Sequence, residues 1–180
     1  MQDRSGLVCA GEAASGAGFG LSSRARTAFS ALGGAALGLA ALLPALAVGY
    51  WLVGSPFVAQ GAGMRMVAIA TALLHLLPLS WGLLRLRVCL AQFAAGRPFA
   101  AEGIAGLRDF AVGMGLSALA KPLAGMLFVL ALSWSGGPKQ IAIEISSDVM
   151  ILALFAGVVA SLAWAMEKAA VIAEENSQFV

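Results

Sequence analysis

Two ionisable residues interrupt long apolar stretches of the sequence, and they are the first candidates for chemistry. His75 stands in "TALLHLLPLS", and Lys121 stands in "LSALAKPLAG", one helical turn after Ser117. An ionisable side chain in an apolar segment marks an ion pathway, a ligand site or a polar contact between helices. We therefore take His75, Lys121 and Ser117 as the candidate polar site.

Lys121 has no acidic residue within reach on its own apolar stretch. Asp109 precedes it by about 18 Å along a helix that rises about 1.5 Å per residue, and we expect no partner for Lys121 in the other apolar stretches. Three interpretations of this interior lysine stay open. It loses its proton and bonds Ser117 or a backbone carbonyl, it reaches water, or it meets an anionic group on a ligand or another subunit.

His75 could bond Lys121, join two helices, or ligate a metal or haem. A lone histidine is a poor haem site, because helical cytochromes commonly use two axial ligands. We therefore expect a structural hydrogen bond at His75 and predict no metal and no cofactor. The sequence shows no carboxylate pair, no nucleophile beside a base and no glycine-rich phosphate loop, so we predict a protein without enzymatic activity or catalytic residues.

Composition places these residues in a membrane. Of the 180 residues, 61% are hydrophobic and 11% are charged, whereas soluble domains carry about 25% charged residues. A helix needs about 20 apolar residues to cross a bilayer. Four stretches are long enough, at about 27–53, 66–84, 110–134 and 149–166. We predict an all-α integral membrane protein: a flexible tail at 1–23, then a four-helix transmembrane bundle at 24–180 with short outer loops.

Basic residues predict which side of the membrane each segment occupies. With the N-terminus inside, most of them fall on inner segments, which is the distribution of cytoplasmic loops. The inner ones are Arg4, Arg24, Arg26, Arg85, Arg87, Arg97, Arg108 and Lys168, and the outer ones are Arg65 and Lys139. We expect a multi-pass protein of a bacterial inner membrane with both termini cytoplasmic. The net charge of +2 is too small for a nucleic-acid surface, so no direct nucleic-acid binding is expected.

The inner face holds the residues that we expect to dock a partner. Gly96 and Pro98 predict the end of one helix and the start of the next between spans two and three. Charged and aromatic side chains surround this break and the end of the fourth span. They are Arg85, Arg87, Arg97, Phe99, Arg108, Glu174 and Glu175. The arginines could pair with the two glutamates or could dock a soluble partner.

Small residues at four-residue spacing predict where the helices pack, since membrane helices approach closely over Gly, Ala and Ser. The candidate packing residues are Gly34, Gly38, Gly113, Gly125, Gly157 and Ser161. In the second outer loop, Ile141, Ile143 and Ile145 alternate with other residues, which predicts an extended strand. That strand would cover the bundle or pair with another protein.

The part of the chain from about residue 65 to 180 resembles a known family. "FAAGRPFAAEGIAGLRDFA" is followed by two spans and by "AVIAEENSQFV". The Gly-x-x-Phe element at Gly96–Phe99, the Leu107-Arg108 pair and the acidic pair at Glu174 and Glu175 resemble the bacterial membrane proteins named domain of unknown function 2975. The resemblance implies four transmembrane helices and no established activity. It also implies membrane-tethered regulation, because members are often encoded beside small helix-turn-helix regulators.

Three functional hypotheses follow. The first is a non-enzymatic membrane protein that binds a partner as a regulatory or accessory protein, for example a small soluble regulator docked on the inner face. The second is a structural subunit of a larger membrane protein complex. The third is a small transporter or ligand sensor that uses His75 and Lys121 inside the membrane.

Overall fold

The computed structural model describes residues 22–54, 61–134 and 146–177, which form four long helices. They are α1 (Ser23–Gly49), α2 (Ala62–Ala94), α3 (Ala101–Trp134) and α4 (Ser147–Ser177). All four are long and apolar enough to cross a membrane, which suggests a multi-pass membrane protein. The all-helical fold class is confirmed. The tail up to residue 21, the two loops that the sequence predicts on the outer side and the alternating isoleucines lie outside the described residues.

The break between α2 and α3 forms where the sequence predicts it. Gly96 follows the end of α2 with a φ of 74°, in the left-handed region that glycine adopts without a steric cost. Its N–H donates to the Phe93 carbonyl, and the Arg97 N–H donates to the Gln92 carbonyl, both at 3.0 Å. These two bonds satisfy the last carbonyls of α2, and α3 can then begin at Ala101.

A π-helical turn, Tyr50–Gly54, closes α1. Turns of this kind are rare and often lie at functional sites. Trp51 of this turn packs its ring against Phe128 of α3, with 5.8 Å between the ring centroids. The backbone of the turn lies beside α2, and the Trp51 ring alone reaches across to α3.

The helices pack in chain order as an open row. Helix α1 packs on α2, α2 on α3, and α3 on α4; among the described residues, no Cα atoms of α1 and α3, α1 and α4, or α2 and α4 come within 8 Å. Each end helix therefore buries one face only. Buried positions on α1 are Gly33, Ala36 and Ala40, and those on α4 are Val149, Ala156, Val159 and Ala163. The four apolar helices are compatible with a membrane bundle, but this one is not closed.

The tightest contact lies between α2 and α3, where glycine backbones meet. A Cβ atom built on Gly113 would lie 2.6 Å from the Pro78 carbonyl oxygen and 2.8 Å from the Cα of Gly82. One built on Gly106 would lie 2.7 Å from the Arg85 carbonyl oxygen. Only glycine allows such an approach, which is how small residues bring membrane helices together. The packing prediction is confirmed for Gly113.

The packing prediction is wrong, within this chain, for the other small residues. A Cβ atom built on Gly34, Gly38, Gly125 or Gly157 would meet no described atom within 4 Å. Ser161 is exposed, and its hydroxyl donates to the Gly157 carbonyl of its own helix at 2.9 Å. The reason is the rotation of the helices: α4 turns Ala156, Val159 and Ala163 toward α3, which leaves Gly157 and Ser161 on its outer side. Gly125 lies on α3 beyond the start of α4.

Candidate functional site

Lys121 has a partner in the chain, which is Asp148. The Lys121 ammonium donates to the Asp148 carboxylate, so the pair joins the middle of α3 to the start of α4. Asp148 lies in the first turn of α4, where the positive end of the helix dipole stabilises a carboxylate. The expectation of no partner covered the other apolar stretches, and Asp148 lies just before the predicted fourth stretch, 149–166. Helix α4 begins earlier than that stretch, at Ser147, and carries this acid level with Lys121.

The side chains of the Lys121 site are also more exposed than those of interior residues. The side chains of Lys121 and Asp148 are 39% and 59% exposed. Since α4 starts at Ser147, level with Lys121, the stretch 122–134 of α3 runs past it without α4 beside it. A groove of about 400 Å³ opens there, lined by Lys121, Gly125, Val129 and Asp148 among others.

His75 and Lys121 line a second groove, of about 280 Å³, between α2, the π-helical turn and α3. Trp51 and Phe128 form its aromatic wall. Nδ1 of His75 lies 3.4 Å from the Thr71 carbonyl oxygen of its own helix. This contact lies within α2 and is a hydrogen bond in the tautomer that carries the proton on Nδ1. Lys121 stands between the two grooves.

Ser117 is separate from this site. Its side chain is buried, with 2% of the residue exposed, whereas the Lys121 ammonium faces α4. Ser117 lies one turn from Gly113 on the face of α3 that α2 covers. The structure therefore brings together two of the three predicted polar residues, and a residue missing from the prediction, Asp148, completes the set.

Arg85 forms the second described ion pair of the protein, with Asp109. Its Nε donates to Oδ2 of Asp109 at 2.7 Å, and Nη2 lies 2.6 Å from the same oxygen. Asp109 is only 19% exposed, so the pair ties α2 to α3 beside the glycine contact. Asp109, which the sequence did not suggest as a partner for the arginines, comes level with Arg85 in the antiparallel arrangement of α2 and α3.

A third groove, of about 460 Å³, lies between the start of α3 and the end of α4. We call it the inner groove after the side of the membrane that the sequence predicts for it. Its rim carries Phe99, Arg108, Trp164 and Glu167, and small alanines line much of the rest. The two aromatic residues are 53% and 63% exposed. Neither Arg108 nor Glu167 forms an ion pair with any described residue. The inner groove thus presents two unneutralised charges of opposite sign.

The predicted docking residues do not form one surface. Phe99 and Arg108 share the inner groove, while Arg87 lines a groove of about 350 Å³ between α1 and α2. Arg97 is exposed in the turn after α2. Glu174 and Glu175 lie near the end of α4, with Glu175 exposed.

Comparison with known proteins identifies no family and no relative: no protein family matches the chain, and neither the curated proteins nor the solved structures include a match. The resemblance to the family described above stays a prediction. Among residues 22–54, 61–134 and 146–177, no three His, Cys, Asp or Glu side chains gather as metal ligands.

Sequence reasoning missed Asp148, Asp109 and Glu167 as members of these sites. Each acid lies at an end of an apolar stretch, where a charged residue is ordinarily solvated. One signal was present for Asp148, which directly precedes the predicted fourth span. A search for acids at the ends of neighbouring spans would have included it beside Lys121.

Proposed function

We propose that this chain is a non-enzymatic integral membrane protein that binds another membrane protein as an accessory component. In this proposal the four helices cross a bacterial inner membrane, with both termini in the cytoplasm. The observation that supports it is the open row of helices, whose two end helices contact one neighbour each.

The outer faces of the end helices have the composition of helix contacts. A Cβ atom added to Gly38 on α1, or to Gly157 on α4, would have no described atom within 4 Å, and Ser161 is exposed beside Gly157. Lipid tails need no small residue against them, whereas a second helix approaches most closely where side chains are small. The edges of the row are therefore suited to helices of a partner protein.

A soluble regulator docked on the inner face is the other form of this proposal. Exposed Arg97 and Glu175 would contribute to that surface, together with whatever charge the partner brings. Support for this form comes from the family resemblance, which links such proteins to small regulators. It predicts that Arg97→Glu weakens partner binding and that Lys121→Leu does not.

Extraction from the native membrane into polymer discs, followed by mass spectrometry, tests the proposal. We expect a stoichiometric membrane protein to co-purify with the wild-type chain and to be lost from Gly157→Leu. Val158→Leu is the matched control, because Val158 is the adjacent exposed position on α4 and already carries a branched side chain. Recovery of the folded wild-type chain alone contradicts the proposal, and recovery of a soluble regulator supports its second form.

The stability of the isolated chain distinguishes a structural subunit of a larger complex from an accessory protein. A subunit depends on its partners for folding, so the isolated chain would unfold during extraction. Unfolding of the purified chain in discs, compared with the chain in its complex, separates the two. We expect the isolated chain to stay folded, since α2 and α3 form a close contact without any partner.

A transporter or ligand sensor is the second candidate function, favoured by the groove that His75 and Lys121 share. In this case a ligand must compete with Asp148 for the Lys121 ammonium. Binding would change with pH, and Lys121→Leu would abolish it. Asp148→Asn, which frees the ammonium, would strengthen the binding of an anion. If Lys121→Leu and Asp148→Asn bind the ligand equally well, a transporter or sensor function at this groove is excluded.

A further inference from the structure

The inner groove combines an apolar floor with two opposite charges that the described chain leaves unneutralised. Arg108 comes from α3 and Glu167 from α4, and neither forms an ion pair with a described residue. Ile104 and alanines of both helices line the space between them. The volume of about 460 Å³ falls within the roughly 300–1,000 Å³ of small-molecule sites.

The two charges lie at different depths along the helix pair. Lys121 faces Asp148, and Phe110 packs in one cluster with Val159, which fixes the register of α3 against α4. In that register Glu167 lies about level with Glu102, so it is about 9 Å nearer to the inner end than Arg108. The positive charge is therefore the deeper one, and the negative charge is closer to the cytoplasmic end.

Trp164 marks the level of the membrane surface at the groove. It is exposed at the rim and lies between Arg108 and Glu167 in depth in the same register, and tryptophan is enriched where the apolar core meets the headgroup layer. The groove thus opens at the depth at which a phospholipid changes from acyl chains to headgroup. A lipid there would place its tails against alanines and its headgroup between Arg108 and Glu167.

We propose that the inner groove binds the headgroup of phosphatidylethanolamine. Its phosphate is attached to the glycerol and lies deeper, where Arg108 provides a guanidinium that suits phosphate oxygens. Its primary ammonium follows after a two-carbon link, where Glu167 accepts charge-assisted hydrogen bonds. Both the signs of the two charges and their order in depth match this lipid.

Other common phospholipids match the groove less well. Phosphatidylglycerol carries the phosphate but no cation, so Glu167 would stay unpaired. Phosphatidylcholine carries a quaternary ammonium, which has no N–H to donate to the carboxylate. The discrimination between phosphatidylethanolamine and phosphatidylcholine therefore reports on Glu167, and the retention of any phospholipid reports on Arg108.

Native mass spectrometry of the purified full-length chain tests this, in micelles that contain equal amounts of the three lipids with identical acyl chains. We expect wild-type protein to retain phosphatidylethanolamine about tenfold over phosphatidylcholine, the ratio that a hydrogen bond to a charged group provides. Glu167→Gln should reduce the ratio to near one, while Glu167→Asp keeps part of it. Arg108→Gln should lower the retention of all three lipids.

Glu175→Gln and Arg97→Gln are matched controls, because both residues are exposed and lie outside the groove. Unfolding temperatures of all variants verify that each is folded. Equal retention of the three lipids by the wild-type chain overturns the proposal. So does a preference that survives Glu167→Gln, or one that Glu175→Gln removes to the same degree.

Discussion

Glycines lie both at the centre of the helix row and on its two outer edges, but only the central ones contact a neighbouring helix of this chain. Between α2 and α3, Gly106 and Gly113 let backbones meet so closely that a Cβ atom would overlap a carbonyl oxygen. On the edges, a Cβ atom built on Gly38 or Gly157 would meet no described atom within 4 Å. Gly113 and Gly157 both stand in series with a four-residue spacing. The difference teaches that the central hairpin is complete in itself, while the edges have small residues without a contact in this chain.

The two ion pairs follow the same division. Arg85 and Asp109 join α2 to α3, with Asp109 mostly buried at 19% exposure. Lys121 and Asp148 join α3 to α4, with both side chains more than a third exposed. The first pair strengthens the central hairpin. The second fastens an edge helix at its first turn.

Gly113→Ala gives the largest expected effect, because its new Cβ atom would force α2 and α3 apart. Overpacking of this kind costs about 1–3 kcal/mol. Gly125→Ala is the matched control on the same helix, since nothing lies within 4 Å of its Cβ position. The free energy of unfolding in mixed micelles, titrated with a denaturing detergent, measures both. Equal losses for the two variants would show that the close approach of α2 at Gly113 is not what makes this glycine necessary.

Asp109→Asn should have the next largest effect. It removes the charge that accepts two contacts from Arg85, and hydrogen bonds to charged groups contribute about 1.5–3 kcal/mol when buried. Because the Arg85 side chain is 44% exposed, we expect a loss of about 1–2 kcal/mol. The same unfolding titration applies. An unchanged stability would mean that this pair does not hold α2 against α3.

Asp148→Asn should destabilise the chain less, by about 0–1 kcal/mol, as exposed ion pairs do. The exchange of both charges, Lys121→Asp with Asp148→Lys, tests the contact itself. We expect hydrogen exchange in the first turns of α4 to rise in the single variant and to return toward wild type in the exchanged pair. Protection that stays low in the exchanged pair would show that Lys121 acts through something other than Asp148.

Gly34→Ala should change the stability of the isolated chain least, within about 0.5 kcal/mol. No described atom lies near enough to the new methyl group to clash with it. A clear loss of stability in the purified chain would show that α1 packs against more of the protein than α2. This variant therefore tests whether the end helix α1 tolerates a side chain that the central contact at Gly113 does not.

The sequence predicted those features that depend on one residue or one stretch. Four helices follow from four apolar stretches, and the end of α2 follows from Gly96, whose positive φ only glycine adopts freely. Each of these results is local, so neighbouring residues were enough to predict it.

Features that depend on how the helices are aligned and rotated relative to one another could not be predicted from the sequence. Gly113 and Gly157 stand in similar four-residue series, and only the rotation of each helix determines which of them meets a neighbour. Asp148 becomes the partner of Lys121 because α4 starts level with it, which is a long-range consequence of how α3 and α4 align. The π-helical turn that places Trp51 against Phe128 has no signal of its own in the sequence.

The distance between α1 and α4 in a lipid bilayer tests the central claim most directly. Spin labels on Gly38→Cys and Gly157→Cys, with Cys9 and Cys89 replaced, lie on open positions of the two end helices. Since packed helices lie about 8–10 Å apart, an open row should separate the labels by about 20 Å or more. A distribution of label distances centred at about 10 Å would show that α1 and α4 pack against each other. The bundle would then be closed, and its edges would not be available to a partner.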